Sequence, residues 1–301
     1  MHIMPFTSIT VIVAPYHVGL YDHRVGGGPL RILSHGLADK LESLVPIHFV
    51  NIGPVDDFEG EIGRTFEVMR RISTSVSQAV TSNSFPLVLS GNCNASAAVA
   101  AGLSNSVPDL NVLWIDAHDD LDTPSTNENG YLDAMALSML SGSSWHTLMK
   151  SVPGHAPLSL DRVAYCGLRD VSPIQRQAVT EAGVDVIWGD ASKKVDFGRE
   201  LGLLLDRKRF GKTHVHLDLD VLDESLGRAN DWPSPGGLDG QDLLNCLGTI
   251  PTKTEPTSLV VCSFNPRLEG GDTIARLAVK GIVHFARGLI ERRILTPEAR
   301  S

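Results

Sequence analysis

The chain has 301 residues, 42% of them hydrophobic and 20% charged, with a formal net charge of −9 at pH 7. That is long enough for a full three-layer α/β domain, and the acidic balance without a Lys/Arg-rich run argues against a nucleic-acid partner. No run approaches the roughly 20 apolar residues of a membrane span, and residues 1–8 lack the charged-then-apolar pattern of a signal peptide, so a cytoplasmic protein off the membrane is expected.

Taken in chain order, residues 8–15 read as a buried first strand, followed by a turn-rich segment from Gly19 to Pro29. Gly26-Gly27-Gly28 lacks the Lys-Ser/Thr ending of a phosphate loop, and Pro29 suits the first turn of a helix. A helix is expected over 30–44, a strand over 47–52, a helix over 61–81 and a strand over 85–89. A small-residue helix follows over 95–102, then a central strand over 111–115. Residues 123–130 are polar and turn-rich, a loop over whatever site lies there, and 135–140 are helix-like. Strands at 163–167, 184–188, 214–219 and 258–264 alternate with helices at 174–182, 194–209, 241–247 and 272–291. There is no linker and no repeat. The pattern predicts one α/β domain over residues 1–294, with a mainly parallel sheet flanked by helices, and a mobile tail from 295. Cys93, Cys166, Cys246 and Cys262 are widely spaced without a CxxC pair, as expected of buried free thiols.

Two aspartate-rich clusters stand out: Asp116-Ala117-His118-Asp119-Asp120-Leu121-Asp122 and His216-Leu217-Asp218-Leu219-Asp220. Each ends an apolar run, so each is expected at the carboxyl end of a buried strand, where α/β sheets bind ligands. Carboxylates and an imidazole suit Mn²⁺, with Zn²⁺, Fe²⁺ and Ni²⁺ as alternatives, and a bridging carboxylate can hold two ions around an activated water. The ordinary alternative is that such acids cap helices or bind Ca²⁺; two clusters on separate strand ends weigh against it.

The first cluster resembles the D-A-H-x-D signature of the ureohydrolases, the group of arginase, agmatinase and formiminoglutamase. The second, His216 to Asp223, is similar to their S-x-D-x-D-x-x-D-P element, with His216 in place of Ser and Glu224 in place of Pro. Gly167-Leu168-Arg169-Asp170-Val171, Pro235-Gly236-Gly237-Leu238 and Phe264-Asn265-Pro266 fit further landmarks in the same order. The resemblance implies a three-layer α/β/α sandwich around an eight-stranded parallel sheet. It implies that Asp116 and Asp218 bridge two metals, that His118 and Asp220 complete one site, and that Asp120 belongs to the other and orients the hydroxide. It also implies a homo-oligomer, a trimer or hexamer.

The chain departs from that pattern at informative positions. Ser90-Gly91-Asn92-Cys93 stands where the family has G-G-x-H, so Cys93 is either a softer metal ligand, which favours Zn²⁺ or Fe²⁺, or a buried thiol beside a weak site. The N-hydroxy-arginine amidinohydrolases of cycloserine biosynthesis, a subgroup that this chain resembles, also place Cys there. Asp133 stands where arginase has a proton-shuttling His; it is a candidate shuttle, a candidate binder of a cationic substrate, or an exposed loop acid. Ser263 replaces the Glu that pairs with the substrate guanidinium, unless Asp133 or His216 substitutes. Asp122, Asn129, Ser172 and Gln175 occupy the positions that hold the substrate's amino-acid end.

The expected function is metal-dependent hydrolysis of a C–N bond in a guanidino or amidino small molecule other than plain arginine, by a metal-bound hydroxide, with one or two ions per chain. A catalytically inactive member of the fold, acting as a binding or regulatory protein, is the alternative. A single-metal amidase using the His118/Asp220 side is the third.

Overall fold

The continuous apolar runs are buried on both faces: all seven residues of strand β1 (Ser8–Ala14) and all seven of β3 (Ser84–Ser90) are inaccessible. Parallel sheets covered by helices on both sides require that pattern. A computed structural model describes residues 5–56 and 58–297. With β2 (Ile47–Asn51), β4 (Asn111–Ile115), β5 (Val163–Leu168), β6 (Asp185–Trp188), β7 (Lys212–Asp218) and β8 (Glu255–Cys262), these strands form one eight-stranded sheet. Its order is β2-β1-β3-β8-β7-β4-β5-β6, and every pairing is parallel, where the sequence predicted a mainly parallel sheet.

Helices α1 (Gly28–Ser34), α2 (Leu37–Glu42), α3 (Glu61–Thr81), α4 (Ala95–Leu103), α5 (Ala136–Ser141), α6 (His146–Met149), α7 (Pro173–Glu181), α8 (Phe197–Lys208), α9 (Gly240–Lys253) and α10 (Gly271–Glu291) connect and flank the strands. The long α3 and α10 each bury one apolar stripe, Phe66, Met69, Ile72, Val76 and Val80 on α3 and Ile274, Ala278, Ile282 and Phe285 among others on α10. The small residues of α4 let it lie close against α3: a Cβ on Gly102 would stand 2.5 Å from the Ser73 carbonyl oxygen.

Several boundaries differ from expectation for local reasons. The helix predicted over 30–44 breaks in two because Gly36 takes a left-handed conformation, φ 78°. Helix α8 starts at Phe197 rather than at 194, where the Asp196 side chain accepts from the Arg199 N–H. Strand β8 begins at Glu255, three residues early; the ladder absorbs Pro256, which has no N–H to donate, through a register shift between Pro256 and Ser258. The tail predicted to be mobile from 295 starts too soon, since Leu295 is buried and bridges to Phe6. Residues 298–301 lie outside the described residues.

What ties the fold to the aspartate clusters is Arg169, just past β5. Its guanidinium donates to the carbonyls of Gly167 (3.2 Å), Asp220 (3.0 Å), Val221 (3.2 Å), Leu222 (3.1 Å) and Ser234 (3.0 Å). The turn after β7 is thereby bound to the neighbouring strand end. We expect Arg169→Met to lower unfolding free energy by about 2–4 kcal/mol, because the carbonyls lose a charged donor inside a half-buried turn. The measurement is the urea midpoint of the metal-free chain, and an unchanged midpoint refutes the role.

Candidate metal and catalytic centre

Strands β3, β8, β7 and β4 are consecutive neighbours, and because all run the same way their carboxyl ends share one edge. Cys93 lies just after β3, Asp116 just after β4, His216 and Asp218 in the last residues of β7, and Ser263 just after β8. The chain leaves β4 toward β5 on one side and leaves the adjacent β7 toward β8 on the other, so it departs in opposite directions between these two neighbours. Such a switch opens a crevice at the strand ends.

Four carboxylates meet there in the interior: Asp116, Asp120, Asp218 and Asp220 are each at most 5% exposed. The fold supplies donors to most of them. Asp116 accepts from the Trp114 indole N–H (2.9 Å) and the His118 backbone N–H (2.8 Å). Asp218 accepts from the Asp220 N–H (2.7 Å) and the Cys93 thiol (3.0 Å), and Asp220 from Asn230 Nδ2 (2.6 Å). Asp116 opens with burial raising its pKa, but the hydrogen bonds of His118 and His216 outweigh this and hold it below the usual carboxylate range. Burial, with Asp220 and Asp116 next to it, pushes Asp218 well up, and burial with Asp116 and Asp133 does the same to Asp120.

These groups fit divalent cations. Asp120 Oδ2 is buried with no hydrogen-bond partner among the described residues, an expensive state for a carboxylate oxygen with nothing to coordinate. Asp116, His118 and Asp220 present ligand atoms that all lie within 4.8 Å of one another, as do Cys93, Asp116, Asp120 and His216. His118 turns Nδ1 toward Asp220 (3.1 Å) and Asp116 (3.7 Å) and Nε2 toward Asp170 (3.3 Å), the carboxylate-backed orientation of a ligating imidazole.

A cavity of about 170 Å³ opens onto the centre, lined by Cys93, His118, Asp119, Asp120, Asp122, Asn127, Asn129, Tyr131, Asp133, Gln175, Asp218, Asp220, Asn230, Trp232 and Ser263 among others. The predicted residues Asp122, Asn129 and Ser263 face it. Asp122 is held by Asn127 Nδ2 (2.9 Å), Thr126 Oγ1 (3.1 Å) and Gln175 Nε2 (3.4 Å).

Asp133 is no exposed loop acid: it is 3% exposed. Its Oδ1 accepts from the backbone N–H groups of Cys93 (2.5 Å) and Asn94 (3.3 Å), at the start of α4. Its Oδ2 accepts from Asn92 Nδ2 (2.6 Å) and, at 3.5 Å, from the Tyr131 hydroxyl. Burial pushes its pKa up to about 6 against the pull of these donors.

Two expected substrate contacts lie elsewhere. Ser172 caps α7 in a reciprocal box with Gln175 and is absent from the cavity wall. His216 is fully buried, stacked at 3.7 Å on the Trp114 ring, with Nε2 3.4 Å from Asp116 Oδ2. It stands behind the carboxylates, out of reach of a substrate. Asn230, Trp232 and Tyr131 are given no role by the sequence, because their loops carry no periodic signal, and Asp170 lies in a motif landmark without a role beside His118.

Asp120 sits at φ 50°, a left-handed conformation that Asn tolerates, so Asp120→Asn changes charge without backbone strain. We expect this variant to stabilise the metal-free chain by about 1–2 kcal/mol, by relieving an uncompensated buried acid, and to gain less from Mn²⁺ than the wild type does. Calorimetric melting with and without Mn²⁺ checks both; a metal-free variant that melts below the wild type refutes the account.

Known proteins resemble the chain in sequence and in fold. The arginase of Agrobacterium fabrum (strain C58) is 30% identical over 231 residues, covering 75% of this chain and 69% of its own length. The hepatic arginase of Aquarana catesbeiana is 29% identical over 253 residues, covering 77% and 76%. The crystal structure of arginase from Bacillus subtilis superposes with a TM-score of 0.79 at 22% identity, covering 93% of this chain and 98% of that one, which shows a common fold. The model of the arginase family matches residues 7–287, a span that holds every strand of the sheet and all four buried carboxylates, and the chain therefore belongs to the arginase family.

Proposed function

We propose that the chain is a metal-dependent amidinohydrolase that cleaves a C–N bond of a guanidino or amidino cation other than plain arginine. The observation that carries this is the cavity wall. Asp119, Asp120, Asp122, Asp133, Asp218 and Asp220 line it, and among the described residues no lysine or arginine does. A small planar cation suits such a wall, and an anion does not.

The wall also argues against free arginine. The guanidinium partner that the family resemblance places at this position would be a carboxylate, and here it is Ser263, whose Oγ lies 3.8 Å from Cys93 Sγ. A hydroxyl cannot form the paired, charge-assisted bonds of a carboxylate with an unsubstituted guanidinium. At the other end Asp122 would repel an α-carboxylate. Tyr131 and Trp232, with ring centroids 5.4 Å apart, offer aromatic faces to a cationic or apolar tail.

Asp116, His118, Asp120, Asp218 and Asp220, with Cys93, would hold the divalent ions, Mn²⁺ first among the candidates. When bound, such ions polarise the substrate and lower the pKa of water at the site. Asp120 Oδ2, which has no other partner, takes the proton of the water that adds to the guanidino carbon. Asp133 Oδ2 holds a proton at a pKa near neutrality and passes it to the leaving nitrogen as the C–N bond breaks, giving urea and an amine from a guanidino substrate. The Asp133 carboxylate also steadies the Asn92–Asn94 turn, so it positions Cys93 as well. Assembly as a homotrimer or hexamer belongs to the same proposal.

Urea release from a panel of guanidino compounds by the Mn²⁺-loaded chain tests the reading. Arginine is expected to be slower in kcat/KM than the best substituted guanidine by about tenfold or more. Equal turnover of arginine refutes the substrate class, and no urea from any compound refutes the hydrolase. Asp133→Asn is expected to lower kcat by about 10²–10⁴-fold with little change in KM, because it removes a titrating group and keeps an acceptor for the Cys93 N–H. A drop in KM-dependent terms alone, with kcat intact, would make Asp133 a substrate binder.

A further inference from the structure

Behind the carboxylates lies a second donor set of different chemical character. Cys262 ends β8 directly opposite Asp218 in the β7–β8 ladder, and His216 sits two residues earlier on the same face of β7 as Asp218. Cys93 comes in from the end of β3, the next strand beyond β8. The sheet register thus brings two sulfurs, one imidazole and one carboxylate together, with their ligand atoms all within 4.8 Å of one another and all four residues buried. The family resemblance assigns no ligand role to positions 216 and 262.

The geometry inside this set is that of a closed cation site. Cys93 Sγ and Cys262 Sγ are 3.8 Å apart. That is far beyond a disulfide bond of about 2.05 Å, and it matches the edge of a tetrahedron with metal–sulfur bonds of about 2.3 Å. His216 Nδ1 is engaged by Ser96 Oγ at 2.7 Å, which fixes the ring and turns Nε2 inward, 4.0 Å from Cys262 Sγ and 3.4 Å from Asp116 Oδ2. Trp114, stacked on the other side, prevents the ring from turning away. Asp218 Oδ2, 3.0 Å from Cys93 Sγ, supplies the fourth donor.

We propose that Cys93, His216, Asp218 and Cys262 form a closed, four-coordinate site for a thiophilic divalent cation of the Zn²⁺ class, distinct from the Asp116–His118–Asp220 group, of which His118 and Asp220 line the cavity. Two thiolates select a soft ion, whereas the oxygen-rich outer group suits a harder one such as Mn²⁺. With four protein donors and no open position, the inner ion is structural rather than catalytic. Cys93 and Asp218 belong to both sets, so the inner ion takes Cys93 from the hard site and Asp218 links the two. The inference does not depend on hydrolysis: a chain without activity would still bind the inner ion.

The test is optical. The chelator-treated, fully reduced wild-type chain is titrated with Co²⁺, then with Zn²⁺. A near-ultraviolet thiolate-to-Co²⁺ charge-transfer band is expected to saturate at one Co²⁺ per chain and to vanish on addition of one Zn²⁺. Cys93→Ser and Cys262→Ser should each reduce the band by about half, His216→Asn should weaken Zn²⁺ binding tenfold or more, and Asp120→Asn should leave the band intact. Co²⁺ binding to the wild type without a charge-transfer band overturns the proposal and leaves the carboxylate centre standing. A band that Cys262→Ser does not change overturns it also. Because the wild-type spectrum alone can refute the site, a variant that fails to fold does not shield it. Urea release is read separately, so loss of the hydrolase reading and loss of the thiolate site are distinct results.

Discussion

Placing several carboxylates in one buried volume is costly, and most of the structure around the strand ends serves to hold them there. Like charges at short range in a low-dielectric interior repel strongly, and each acid also gives up its hydration. The chain answers with directed donors: the Trp114 indole and His118 N–H on Asp116, Asn230 on Asp220, and the Asp220 N–H on Asp218. Arg169 adds a guanidinium beneath the turn, bonded to its carbonyls rather than to the acids themselves. Among the described residues Asp120 Oδ2 is a buried carboxylate oxygen without a hydrogen-bond partner, which is where the proposed reading would put a cation.

The same constraint gives the site an acidic face toward the cavity, which Cys93 and Asp218 also line, and a buried pair, His216 and Cys262, behind it. The cavity side is lined by carboxylates and amides. The rear places His216 between Trp114 and Cys262, with every member of the set buried. Cys93 stands at the boundary of the two, 3.0 Å from Asp218 Oδ2, and in the proposed reading its softer sulfur would change which ion each side prefers. It also places an adaptable, polarisable atom next to the Ser263 hydroxyl, where an unsubstituted guanidinium would have looked for a carboxylate.

The strand-end acids were readable in the sequence because a buried parallel strand is an unbroken apolar run, and Asp116 and Asp218 terminate two such runs. Alternation of strands and helices gave the layer architecture for the same reason. Cys262 was not readable: it ends Leu259-Val260-Val261-Cys262, where a thiol looks like any other core residue, and its partner Asp218 is set by a register that only the folded sheet defines. His216 is expected to stand in for the missing guanidinium partner, yet it lies two residues deeper on the face of β7 that it shares with Asp218, stacked on the Trp114 ring. Ser172 carried its own correction, since Ser172-Pro173-Ile174-Gln175 is a helix-capping pattern and is used as one. The break at Gly36 and the start of β8 through Pro256 are hidden because one residue outweighs the surrounding periodicity, Gly36 by its left-handed backbone and Pro256 by a register shift that absorbs its missing N–H.

The strand order has a consequence for how the chain comes into being. The first six strands belong to two separate groups, β2-β1-β3 and β4-β5-β6, that do not touch edge to edge in the finished sheet. The gap between them is filled by β7 and β8, which begin at Lys212 and Glu255. During synthesis, then, β3 and β4 stand as unpaired, apolar edges until the last third of the chain has emerged, and the two halves are joined only when the final pair slots between them. Every candidate metal ligand named above lies on or beside this seam. The site therefore cannot be assembled early and is present only in a chain whose whole sheet has closed, so a nascent or truncated chain exposes sticky edges but no competent centre.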